Sequence, residues 1–201
     1  MKAGSNAYLL PNLDRLSLNK DFSFFDITVG RQALSYGNLN SISPINIFLA
    51  KPISAFNYEY IPGLDAIRAV FPLDETSEIE FAHIFSKKNK LTEDPSLFKI
   101  KFPTKEISHE LVLFHYSHNQ MLGLSSQFFV NNLEFLSDFS YTFRKNYFNY
   151  FRGSWALTYY FNPNSIAKLE YHYNTPESEE NRNIDDIKLY DYTRFYLRKK
   201  H

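Results

Sequence analysis

The stretches Leu133–Arg144 (LEFLSDFSYTFR) and Asn149–Phe161 (NYFRGSWALTYYF) decide the fold. In the first, Leu133, Phe135, Phe139, Tyr141 and Phe143 share one parity, and Glu134, Leu136, Asp138, Ser140, Thr142 and Arg144 share the other. The second repeats the scheme, with Phe151, Trp155, Leu157, Tyr159 and Phe161 opposed to Arg152, Ser154, Ala156, Thr158 and Tyr160. Successive side chains of a strand point to opposite faces, so each stretch is a strand with one aromatic and one polar face. Soluble sheets use strands of about 5–6 residues. Longer strands of this pattern suit a bilayer, which needs roughly 9–11 tilted residues, apolar outward and polar inward. The pair predicts the wall of a transmembrane β-barrel.

Composition agrees. The 201 residues include 15 Tyr and 20 Phe, against one Trp, two Met and six Gly. Aromatic residues favour strands and collect in the interfacial girdles of membrane barrels. Mean hydropathy is slightly polar, and no run approaches the roughly 18 apolar residues of a membrane helix. A barrel accommodates both facts, because half its strand residues face water. Lys plus Arg and Asp plus Glu stand at 22 each, which gives the chain no electrostatic reason to bind nucleic acid. There is no cysteine, so disulfides and Cys-based metal sites are excluded.

Alternation and turn residues outline about eleven strands of an antiparallel up-and-down meander. They run over Asn12–Leu18, Phe24–Ala33, Gly63–Pro72, Glu78–Phe85, Ser96–Phe102, Ser108–Ser117, Gln120–Phe129, Leu133–Arg144, Asn149–Phe161, Ser165–Asn174 and Lys188–Lys199. Short connections alternate with mostly longer ones, and only His118–Asn119 breaks the rhythm. Short turns on one rim and long loops on the other are the habit of outer-membrane barrels. Residues 1–201 are therefore expected to form one barrel domain truncated at both ends. An export signal and a strand are expected upstream of Met1–Pro11, which has no signal-peptide core. Closing strands are expected beyond the basic end Arg198–His201. The stretch 34–62 is expected to be a long extracellular or pore-inserted loop, with Ser43–Phe48 apolar enough to pack inside a lumen.

Parity assigns the lumen. Arg68, Glu78, Glu80, Lys99 and Lys101 are expected to line it in the first half of the chain, with Gln32. His115, with Ser117, is assigned to the same side. Further on, Glu134, Asp138, Arg144, Arg152, Lys168, Glu170, His172 and Arg194 follow. The opposite parity holds Ile67, Phe71, Phe81, Phe98, Val112, Phe114, Tyr116, Leu169 and Tyr171, among others. A Lys or Arg facing lipid at mid-membrane costs about 2–4 kcal/mol, which gives the segregation an energetic cause.

Val29-Gly30-Arg31-Gln32, Tyr36-Gly37, Pro44 and Phe48 resemble the signature of Gram-negative outer-membrane porins of the alginate-export-like type and their uncharacterised relatives. Arg152–Tyr173 and Tyr192–Tyr196 are similar to later strands of the same group. The resemblance implies a passive channel for small hydrophilic solutes, in contact with the outer-membrane bilayer, with no cofactor, metal or enzymatic step. Arg31 departs from it by falling on the lipid parity. A soluble all-β binding protein, sandwich or lipocalin-like, is the alternative, and would put the charged faces outside. An outer-membrane lipase is a weaker alternative. His115-Tyr116-Ser117-His118-Asn119 is similar to a phospholipase His-x-Ser core, where a base on the same strand face could activate the hydroxyl.

Overall fold

The computed structural model describes residues 14–39, 42–48, 63–85, 94–145, 148–162 and 165–175, and the backbone of 192–199. Eleven strands follow one another: β1 (Leu16–Asp21), β2 (Asp26–Ala33), β3 (Gly63–Pro72), β4 (Glu78–Ile84), β5 (Ser96–Thr104), β6 (Ile107–Tyr116), β7 (Asn119–Val130), β8 (Leu133–Arg144), β9 (Tyr150–Asn162), β10 (Ser165–Asn174) and β11 (Tyr192–Lys199). Every strand pairs antiparallel with its sequence neighbours in one sheet ordered β1 to β11. Among the described residues there is no helix, and β1 and β11 do not touch. The expected first strand began too early: β1 starts at Leu16, and Asn12 lies outside the described residues.

The register fixes the two faces. The cross-strand row Arg68, Ala82, Leu97, Phe114, Met121, Thr142 and Tyr150 lies on one of them. Residues 34–39 and 42–48 fold onto this face and cover it, so it is called the inner face below. Leu34, Tyr36 and Ile45 form an apolar core there with Ala82, Leu97, Val112, Phe114 and Met121. Ile45 is 0% exposed and lies against Gly123, where an added Cβ would stand 3.0 Å from its Cγ1. Glycine lets the two approach this closely, and a larger residue would push Ile45 off the wall. Full burial of each large apolar side chain contributes roughly 1.5–3 kcal/mol, which makes a covered seat stable.

The outer face carries rings edge to edge. Phe139 meets Trp155 at 5.6 Å and Trp155 stacks on Tyr171 at 5.3 Å. Phe81 meets Phe98 at 4.9 Å. Such cross-strand aromatic pairs are the stabilising unit of a sheet face.

Candidate functional site

The inner face joins two kinds of polar residue. Towards β3–β8 the charges are buried under residues 34–39 and 42–48. Glu80, 1% exposed, receives Arg68 at 2.8 Å and Lys99 at 2.7 Å. Lys99 also reaches Glu78 at 2.8 Å. The Tyr36 hydroxyl donates to Glu80 at 2.9 Å. Burial, and then the neighbouring Glu80 carboxylate, push the Tyr36 phenol far above its ordinary range, so it stays a neutral donor.

Two further carboxylates hold the same segment. The Gly37 N–H donates to Glu110 at 3.0 Å. Asp138, 0% exposed, accepts from the Asn38 and Leu39 N–H groups at 3.1 Å each, and from the Ser125 hydroxyl at 2.5 Å. Gly37 has a φ of 83°. A Cβ there would also run into Ser43 Oγ and Asp138, so position and conformation both demand glycine.

Towards β8–β10 the inner charges are less covered. Glu134 accepts from Gln127 at 2.8 Å and from the Tyr160 hydroxyl at 2.6 Å. Arg152 lies over the Tyr150 ring, 4.9 Å from its centroid, with Arg144 at 5.8 Å on the same ring. Lys168 pairs with Glu170 at 2.6 Å. His172 shares a hydrogen bond of 2.5 Å with Ser154. Arg194 stands opposite Glu170 in the register of β10 and β11. Lys101 pairs in register with Glu78 and Glu110 and is exposed.

Set against the sequence reading, thirteen of the fourteen assigned positions fall on the inner parity and one does not. His115 stands in register with Ser96 and Gln120 on the outer face, beside exposed Leu113. Val112, Phe114 and Tyr116 point inward instead. The reason is the seat itself: Ile45, Tyr36 and Phe48 need apolar wall beneath them, and β6 supplies it. Ser117 is in a turn, 3.1 Å from His118 Nδ1, so His115 and Ser117 form no base–nucleophile pair. Glu80, Lys99, Asp138 and Glu170 are inward but buried, which removes them from any open surface. Arg31 stays on the outer face and faces Asp65 at 3.8 Å.

The residues missed in the sequence are Glu110 and Ser125; Tyr36 and Gly37 are marked there only by the resemblance, with no contact assigned to them. Glu110 carried a signal, since it is the one charged residue of its parity on β6 and meets Lys101 across the strands. Ser125 acts through a small hydroxyl, which leaves no pattern in a sequence.

The crystal structure of OccK11 (OpdR) from Pseudomonas aeruginosa, an outer-membrane porin, is similar to 80% of this chain with a TM-score of 0.52 and 11% identity. The chain spans 47% of that structure, about half its length. The fold is that of an outer-membrane β-barrel. No family model matches the sequence, and no curated protein matches it. In a barrel the outer face is the lipid side, and its exposed Val29, Ile67, Phe81, Leu122, Leu124, Leu157 and Leu169 are the apolar band such a wall requires. No group of residues suited to a metal ion occurs among the described residues.

Proposed function

We propose that the chain forms the wall of a passive outer-membrane channel in a Gram-negative cell, conducting small hydrophilic solutes without a chemical step. One observation carries this reading: Tyr36, Gly37, Asn38 and Leu39 are pinned to the inner face by Glu80, Glu110 and Asp138, and Ile45 is buried on the same face. A segment lying inside a barrel narrows its lumen, and rings of side chains of both signs beside it give a path its preference. Glu134, Arg144, Arg152, Lys168 and His172 supply that less covered, mixed-charge wall. Lipid on the outer face and solute on the inner are its partners. Within this class, the Val29–Gln32 strand and the Tyr36–Phe48 loop support kinship with alginate-export-like channels.

The test is liposome swelling with sugars of graded size and a purified closed barrel that contains this chain. Influx that falls with solute size is the expected result. A rate equal to that of protein-free liposomes for every sugar defeats the proposal. Arg152→Glu is expected to raise the entry of cations relative to anions at least twofold in the same vesicles, read from reversal potentials.

A further inference from the structure

The hold on residues 34–39 and 42–48 is not uniform along the segment. At Tyr36 the wall acceptor is Glu80, which is itself clamped by two cations, Arg68 and Lys99. At Asn38 and Leu39 the acceptor is Asp138, whose partners are all neutral: two backbone N–H groups and the Ser125 hydroxyl. Asp138 makes no ion pair among the described residues. The carboxylate of Glu110, which holds Gly37, is a like charge felt by Asp138, and Ser154, the register partner of Asp138 on β9, is hydrogen-bonded to His172. Between the two attachments stands Gly37, in a backbone conformation that few other residues adopt.

We infer that Asp138 is the positioning residue of this segment, a releasable latch, while Tyr36 on Glu80 is its fixed anchor. The inference rests on the channel reading only for its consequence: lifting residues 38–39 and 42–48 from the seat widens the path. The geometry of the latch stands without it. A carboxylate that accepts three hydrogen bonds aligns its donors with both oxygens. Replacement by an amide turns one acceptor into a donor aimed at an N–H, and a buried N–H left without an acceptor favours the open arrangement. Removing one bond at the anchor has a smaller effect, because Arg68 and Lys99 keep Glu80 in place.

The chain has no cysteine, so single reporters can be read without background. Leu34→Cys reports the anchor side and Ile45→Cys the latch side; both parent side chains are buried. Ser137→Cys, buried on the outer face beside the latch residue, reports general loosening of the sheet. Maleimide labelling rates are measured on the full chain in detergent, with Asp138 intact or as Asp138→Asn. The expected result is at least a tenfold faster reaction at Ile45→Cys, with Leu34→Cys and Ser137→Cys changed less than twofold. Equal acceleration at all three sites overturns the inference, since the substitution has then loosened the whole sheet. Equal acceleration at Leu34→Cys and Ile45→Cys alone overturns it too, because the segment then leaves as one unit. No acceleration at Ile45→Cys means the apolar seat holds without the latch, and sinks it as well. A second pair closes the argument: Leu39→Cys with Leu136→Cys, which pack in one apolar cluster, is expected when oxidised to return Asp138→Asn to the parent Ile45 accessibility, read with a methyl-bearing probe by NMR. Labelling needs no ion flow, so a failure of the channel reading in liposomes leaves this result standing on its own.

Discussion

Lys105, Ser117 and Asn131 each open a two-residue turn with φ of 56°, 54° and 52°. Asparagine tolerates that region, whereas other L-residues lose roughly 1–2 kcal/mol there. Lys105→Gly is therefore expected to stabilise the sheet by up to about 1 kcal/mol, read as a higher urea midpoint; a lower midpoint contradicts the strain. Asp74 closes a different turn, accepting from the Thr76 N–H at 2.8 Å, the Thr76 hydroxyl at 2.9 Å and the Ser77 N–H at 2.8 Å. These bonds, the Thr76 N–H foremost, pull its carboxyl down to about 2. A folded value below the ordinary one means the turn keeps its support above the usual carboxylate range and loses it as pH falls through about 2. The Thr76 amide resonance in micelles checks this. A midpoint near the ordinary value would show that the carboxylate is not held. At His115 the outward placement has an equally direct consequence. His115→Leu is expected to leave solute entry in liposomes unchanged, and a changed size cut-off would return the imidazole to the path.

Strands differ in how plainly they announce their faces. β8 and β9 are legible because each inward position but Leu136 and Ala156 is polar or aromatic-hydroxyl, and the outward ones are mostly rings. β6 is not, because Leu111, Val112, Leu113 and Phe114 are apolar on both parities. There His115 and Ser117 decided the reading, and they decided it the wrong way. Nothing local could have corrected it, since the apolar inner face of β6 exists for Ile45 and Tyr36, distant in sequence. Cross-strand partners do contain the answer: Lys99 opposite Val112 and Lys101 opposite Glu110 set the inward row. The facing of β7 admits a clean check. Leu124→Arg, on the lipid side, is expected to cost about 2–4 kcal/mol at mid-membrane. Gln127→Arg, inward and beside Glu134, is expected to cost under 1 kcal/mol, both by urea unfolding from vesicles. Equal costs would mean that the sheet has no lipid side.

At the scale of the molecule, the meander and its eleven strands were readable from turn residues and alternation, while the burial of Glu80, Lys99 and Asp138 was not. Parity tells which way a side chain points and is silent on what lies over it. Within the described residues β1 and β11 each leave one edge without a partner strand. Unpaired backbone groups are costly in hydrocarbon, so a chain that stays open is expected to run at one position on detergent gels, heated or unheated. A faster unheated band would reveal a closed barrel. The connections between strands also differ by rim. On the rim that carries 34–62, 85–95 and 175–191, strands β6 and β7 are joined by Ser117 and His118 alone, and β8 and β9 by five residues. Among the connections of that rim, the one between β6 and β7 is therefore the shortest in sequence, and it stands next to the β8–β9 connection that follows Arg144. If the proposed channel holds and this rim faces outward, a peptide epitope spliced between Ser117 and His118 is expected to be bound by antibody on intact cells, and binding only after the cells are opened would put the rim on the other side.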